Sequence, residues 1–277
     1  MSYKNLCAHV DYRERNRANV NLAFELAVQF DAHLTGIYVD PVALSPEVIS
    51  MASTPALYDQ MSEEQEIRAQ EAKAAFELLS TTNSALTNWQ RAQGPMYSTL
   101  NLHARYCDML ILNQEGDGDD ALALGGFADS AVIETGRPVL VVPFIGAAVP
   151  LHGKVLVAWN GSREATRAVN DAMPLLKMAE EVQVVCINPH TTEEHEAPLP
   201  GAELCQHLSL HGVRAVSNVI TGANTNNSGV LLSLAADYNA NLIVAGAYGH
   251  SRLRELVLGG MTLDLLRHMT VPVLMSH

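Results

Sequence analysis

Positive charge is scarce in this chain. Seventeen Lys and Arg stand against thirty Asp and Glu over 277 residues, a formal net charge of -13. No basic stripe offsets that balance, so the surface repels a nucleic-acid backbone and no DNA or RNA partner is expected. No apolar run reaches the length of a bilayer span, and no membrane partner is expected. Met1 to Val10 leads almost directly into a strand-like segment without the basic start and apolar middle of a signal peptide, which makes the cytoplasm the expected location. Cysteine is limited to four residues, Cys7, Cys107, Cys186 and Cys205, with no Cys-x-x-Cys pair. Three lie in or beside apolar runs, where a thiol acts as a small hydrophobe, and all four are read as reduced structural residues. Catalytic signatures are missing as well. No Gly-Lys-Ser or Gly-Lys-Thr completes a Walker A loop, and no Gly-x-Ser-x-Gly elbow occurs. Ser162 follows Gly161 at a helix start, where capping accounts for it. His207 and His211 are four apart on one helix face near Cys205, but no third ligand can be identified, so no metal site is assigned.

What is present is a core. Hydrophobic residues make up 48% of the chain and charged ones 17%, enough for one large domain or two of ordinary size. Strands are read at 5–10, 34–39, 86–92, 109–112 and 139–142. Between them, Val20, Ala23, Phe24, Ala27 and Val28 recur at helical spacing, a helix opens at a capping box of Ser62 and Gln65 and runs to about Thr81, and another starts at Pro95. Val42 to Met61 reads as a surface excursion, and Phe144 to Gly153 as a linker. The order then begins again, with strands at 155–159, 182–187, through Val216 and Ile220, at 242–245 and at 271–275. Helices are read around Ala165–Leu176, from Ala202, over Val230–Tyr238, and beyond Gly260.

The halves can be laid on each other. Tyr106–Leu112 matches Tyr238–Val244, Gly125-Gly126 through Pro138 matches Gly259-Gly260 through Pro272 without a gap, and Asp40-Pro41 matches Asn188-Pro189. This repeat predicts two tandem α/β domains, 1–146 and 150–277.

The densest chemistry lies at Asn241–Thr262. A buried-strand run, Leu242 to Ala245, breaks at Gly246 and Gly249, and Gly259-Gly260 precede a helix. His250, Arg252 and Arg254 lie between. A strand, a glycine loop and a helix N-terminus form an anion site, because the first helical N–H groups have no partner within the helix. Glycine also admits a phosphate close to the backbone.

Gly246, two residues, Gly249, nine residues and Gly259 resemble the nucleotide-binding motif of the universal stress protein family, in which glycines so spaced, followed by Ser or Thr, wrap the phosphates of ATP. Gly260 stands at the hydroxyl position, and Thr262 lies two residues on. The resemblance implies an adenine nucleotide alpha hydrolase-like, Rossmann-like fold in each half, a five-stranded parallel sheet with helices on both faces. It implies ATP, with Mg²⁺, held by Gly246, Gly249, His250, Arg252, Gly259, Gly260, Met261 and Thr262. Asn160 takes the place where the family commonly has an Asp against the base, and Cys186 and Ile187 the apolar packing on it. It further implies that the final strands of the two halves pair edge to edge, and that a homodimer and protein partners carry a stress-response signal by ligand-linked association. In the first half the corresponding loop carries Glu115, Asp117, Asp119 and Asp120, which repel a triphosphate, so that site is read as degenerate. Two alternatives stay open, an interaction scaffold without nucleotide and a slow ATP hydrolase. The hydrolase needs metal-holding carboxylates near Gly260, and Asp264 is the nearest.

Overall fold

The computed structural model describes residues 2–14, 16–40, 55–114, 127–146, 150–189, 199–222, 226–248 and 260–277. The chain forms two compact units, one of Tyr3–Asn113 and one of Gln114–His277 together with Met1–Ser2.

In the first unit β1 (Asn5–His9), α1 (Asn16–Phe30), β2 (His33–Asp40), α2 (Pro55–Thr82), β3 (Thr87–Gln93), α3 (Met96–Ala104) and β4 (Met109–Asn113) alternate. The strands lie in the order β3-β2-β1-β4, all parallel. β1 and β4 are apolar because both faces are covered, as parallel strands require. Phe76 of α2 packs against the bare backbone of Gly36 in β2, with Phe24 and Trp89 at ring-centroid distances of 5.1 and 5.6 Å. Helix α2 starts seven residues ahead of the expected capping box. Ser62 therefore lies inside it, because Pro55 suits a first helical position and no breaker follows. Of the expected excursion, 55–61 is helical and 42–54 lies outside the described residues. Val28 is 48% exposed, since the buried face of α1 runs through Leu22 and Leu26 instead.

The second unit contains α4 (Phe127–Glu134), β5 (Val139–Val142), β6 (Lys154–Ala158), α5 (Arg163–Leu176), β7 (Glu181–Ile187), α6 (Ala202–Leu210), β8 (Ala215–Ile220), α7 (Asn227–Tyr238), β9 (Leu242–Gly246), α8 (Met261–His268) and β10 (Val273–Ser276). Its order is β5-β10-β9-β6-β7-β8, parallel except where β5 meets β10. There Leu140 faces Leu274, and Val139 and Val141 face Met275 and Val273. The pairing is self-complementary about Leu140 and Leu274, which are repeat counterparts: Val139 faces the counterpart of Val141, and Val141 that of Val139.

The repeat is one residue out of the expected register at β4 and β9. Asp108 donates its N–H to Asn5 O at 2.7 Å and Asn241 does so to Lys154 O at 2.8 Å. The side chain of Asp108 accepts from the N–H groups of Lys4 and Asn5, and that of Asn241 from Lys154 N–H. Asp108 thus corresponds to Asn241, and Asn113 to Gly246. The shift arises because residues 105–108 connect α3 to β4, whereas only 239–241 connect α7 to β9, the latter through a left-handed Asn239. Tyr106 is an exposed turn residue, while Tyr238 closes a helix under the Lys154 ammonium.

The cysteines are distant in sequence but neighbours in space. Cys7 and Cys107 share a hydrogen bond that, with burial, holds the Cys7 thiol well above its ordinary range. Burial also raises Cys186 and Cys205, and the two interact.

His9, buried in β1, has its pKa lowered by desolvation, which outweighs the opposing effect of Asp11. The unfolded imidazole, near its ordinary value of about 6.5, then takes a proton that the folded one refuses. Stability should be lost as pH falls below that value, down towards the depressed folded pKa. Thermal midpoints measured between neutral and mildly acidic pH should decline in the parent protein and decline less steeply in His9→Gln.

Candidate nucleotide site

β6 is hydrogen-bonded to β7 on one side and to β9 on the other. In an open parallel sheet, the crevice beyond the carboxyl ends at such a reversal is where ligands bind. Ala158 lies level with Ala245 and Val185, so Trp159–Gly161 and Gly246–Tyr248 leave the sheet side by side. The expected residues Asn160 and Gly246 are brought together here. Gly249, His250, Arg252 and Gly259 lie outside the described residues, as does the acidic loop 115–120.

Asn160 is exposed. Its Oδ1 accepts the N–H of Ser162 at 3.0 Å, and Ser162 Oγ accepts that of Ala165 at 3.1 Å, capping α5. With its carbonyl engaged in the turn, Asn160 offers a base the donor side of its amide. Gly246 is explained by packing. The first turn of α5 presses so closely on the end of β9 that a Cβ would fall inside the backbone of Glu164 and Ala165.

Cys186 and Ile187 cannot both line one face, because successive strand residues point to opposite sides. Cys186 is buried beneath Gly201 at the start of α6, where a Cβ on Gly201 would meet its Sγ at 3.2 Å. Ile187, half-buried, takes the other face.

Gly260 is the N-cap of α8, with φ -63° and ψ 169° and no side chain to cap the helix. The N–H groups of the first turn, from Met261 onward, lack intrahelical acceptors and carry the positive end of the dipole. Met261 is half-exposed, but Thr262 is buried. What α8 offers a ligand is backbone N–H rather than a hydroxyl.

Asp264, the nearest acid in sequence, lies in the first turn of α8. Its carboxylate is engaged by the start of α7: Asn226 Nδ2 donates at 2.5 Å and Ser228 Oγ donates to the same oxygen, while the His268 ring lies 3.1 Å from the other. The Ser228 hydroxyl foremost, opposed by burial and reinforced by Asn226 and His268, holds the carboxyl below its usual range. Sequence reasoning missed Asn226 and Ser228, since nothing local links them to position 264, and missed His268 although its i,i+4 spacing on α8 is a local signal. Tyr248 was missed too. It stands at φ +59°, with its ring edge-on to His277 at 6.4 Å, and His277 Nδ1 meets Ala247 O at 3.0 Å.

The first unit handles the same place differently. Asn16, the counterpart of Ala165, donates from Nδ2 to Asn113 Oδ1 and to His9 O, and accepts the N–H of Asp11 on Oδ1. Asn19, the counterpart of Ala168, also donates to His9 O. Amide side chains there tie together the strand ends that in the second unit carry only Ala and Gly. Gln114 is buried and caps the last turn of α8, donating to the carbonyls of Leu266 and Arg267. No group of three or more His, Cys, Asp or Glu able to hold a metal ion occurs among the described residues. The rings of His207 and His211 meet at 4.8 Å on the exposed side of α6.

Sheet order and alternating helices define a doubly wound α/β protein whose strand order reverses at β6, between β7 and β9. Residues 152–277 match the sequence model of the universal stress protein family. Over the whole length the fold is similar to that of a universal stress protein from Archaeoglobus fulgidus DSM 4304, at a TM-score of 0.74 and 16% identity, covering 98% of this chain and 96% of that one. It is also similar to a functionally unknown protein from Pseudomonas aeruginosa PAO1, at a TM-score of 0.59 and 14% identity, covering 99% and 92%. At these identities the likeness is one of fold. No curated protein matches the sequence. Among the described residues, no helix is long and apolar enough to cross a membrane.

Proposed function

We propose that this protein is a tandem universal stress protein that binds ATP, or another adenine nucleotide, in domain 150–277, while domain 1–146 carries no working nucleotide site. The observation that carries the reading is the uncapped N-terminus of α8, set in a matched family domain whose Gly246 belongs to the motif spacing. The phosphates take the first-turn N–H groups together with the glycine loop and its His250 and Arg252, and the base lies towards Asn160 and the end of β7. The donor set suits an anion. Mg²⁺ would enter on the phosphates, supplying charge neutralisation, since the one acid described in this part of α8, Asp264, is committed to α7.

The same commitment favours regulation over turnover, because no positioned base or metal-holding carboxylate stands free beside Gly260 among the residues that can be described. Signalling then rests on a nucleotide that binds two association states with different affinity, in a cytoplasmic homodimer or with a protein partner.

Calorimetric titration of nucleotide-stripped protein with ATP and Mg²⁺ tests this. The expected result is near one equivalent, lost in Gly249→Asp and kept when Glu115, Asp117, Asp119 and Asp120 are neutralised. Gln114 must be left in place because it caps α8. Absence of both heat and a thermal shift would leave the scaffold reading.

A further inference from the structure

Between α1 and α2 in the first unit lies a cleft of about 540 Å³, within the roughly 300–1,000 Å³ usual for small-molecule sites. Its floor is apolar, formed by Val10, Val20 and Phe76, each 4% exposed or less, with Leu79 beside them. Leu78, 63% exposed, extends that surface along one wall. The mouth is polar, with Arg13 and Arg17 set beside Asp11 and Glu14. The Arg13 guanidinium lies 5.6 Å from the centre of the Tyr12 ring and that of Arg68, which also pairs with Glu64, lies 5.1 Å from it, while Arg17 lines the cleft in the first turn of α1.

We propose that this cleft binds an amphipathic carboxylate, an aromatic or short aliphatic body lying on the Val10–Val20–Phe76 floor and its carboxylate taken by Arg13 and Arg17.

The two acids at the mouth are each engaged by one of these arginines. Asp11 Oδ1 accepts the backbone N–H of Arg13 at 2.8 Å, and Oδ2 lies 3.8 Å from the same residue's guanidinium. Its charge is therefore answered within the turn. Glu14 meets Arg17 at 2.7 Å, but both side chains are largely exposed, at 84% and 64%. Such a solvent-screened pair contributes little and exchanges readily for a ligand carboxylate. Arginine binds carboxylates through paired N–H donors, which gives the head group an orientation as well as a charge. Helix α1 carries no acid in its first turn, so its dipole adds to the charge of the arginines. An apolar floor with a few convergent polar groups at one end is the usual build of a site for a ligand of this kind.

The cleft carries its own reporter. Phe76 touches Trp89, and the chain has two tryptophans, so a Trp159→Phe background leaves emission from Trp89 alone. Titration with 4-phenylbutyrate should change that emission saturably and raise the thermal midpoint, while acetate should do neither. 4-Phenyl-1-butanol, the same body without the charge, should bind about tenfold more weakly, the loss expected for one set of charge-assisted hydrogen bonds. Arg17→Ala, at an exposed position, should bring the two probes together. Ala75→Phe, which fills the cleft from an exposed site on its rim, should abolish both. Equal binding of acid and alcohol would overturn the carboxylate assignment. No binding, or binding untouched by Ala75→Phe in a protein of unchanged thermal midpoint, would overturn the site. Gly249→Asp should leave all of these results as they are, which keeps them separate from ATP binding.

Discussion

Gly246→Ala is expected to melt about 6–12 °C below the parent protein. The methyl group has nowhere to go. At Gly246 a Cβ would lie 2.5 Å from the carbonyl carbon of Glu164 and 2.8 Å from the Cα of Ala165. These are backbone atoms, which no rotamer change can move aside, and they belong to a turn held by the Ser162 cap. Overpacking against backbone costs about 3 kcal/mol, and a unit of this size loses about 2–4 °C per kcal/mol. α5 would have to lift from β9, and the crevice between Asn160 and Gly246 would widen with it. The measurement is a thermal scan of parent and variant at one pH. A variant with an unchanged midpoint and lost nucleotide would show that Gly246 serves phosphate approach rather than packing.

Gly260 should behave in the opposite way. Its backbone, φ -63° and ψ 169°, is nearly that of Ser162, φ -75° and ψ 164°, which caps α5 with its hydroxyl. Nothing in that geometry requires glycine. Gly260→Asp should keep or slightly raise stability, by about a few tenths of a kcal/mol, because Asp is a favoured N-cap, and its thermal midpoint should not fall. Its carboxylate would then occupy the N–H groups on which the phosphates depend, and ATP affinity should fall about a hundredfold or more. Gly260→Ser supplies the same cap with a neutral hydroxyl and should bind ATP about three to ten times more tightly, the worth of one net hydrogen bond. Side-by-side calorimetry of the three proteins decides it. If Gly260→Asp binds ATP as the parent does, the N-terminus of α8 is not the phosphate site.

The two glycines show where sequence reasoning stops. Gly246 and Gly260 were both placed by spacing in one phosphate loop. The structure gives the first a packing reason and finds no backbone reason for the second, and only the fold brings Ala165, far away in sequence, against Gly246.

By itself the sequence determined the order of helices and strands, the repeat and the location of the glycine loop. Those features are local or periodic: strands covered on both faces must be apolar runs, and helices must repeat their apolar face every turn. The tertiary structure alone decided which distant groups meet. Asn16 reaches Asn113, Asp264 is taken by Ser228, Gln114 caps α8, and Cys186 comes beside Cys205. It also shifted the repeat by one residue at β9, a change invisible to residue identity but set by backbone hydrogen bonds to β6. Such contacts depend on sheet order and on which face each helix crosses, and these follow from packing the whole chain rather than from any segment of it.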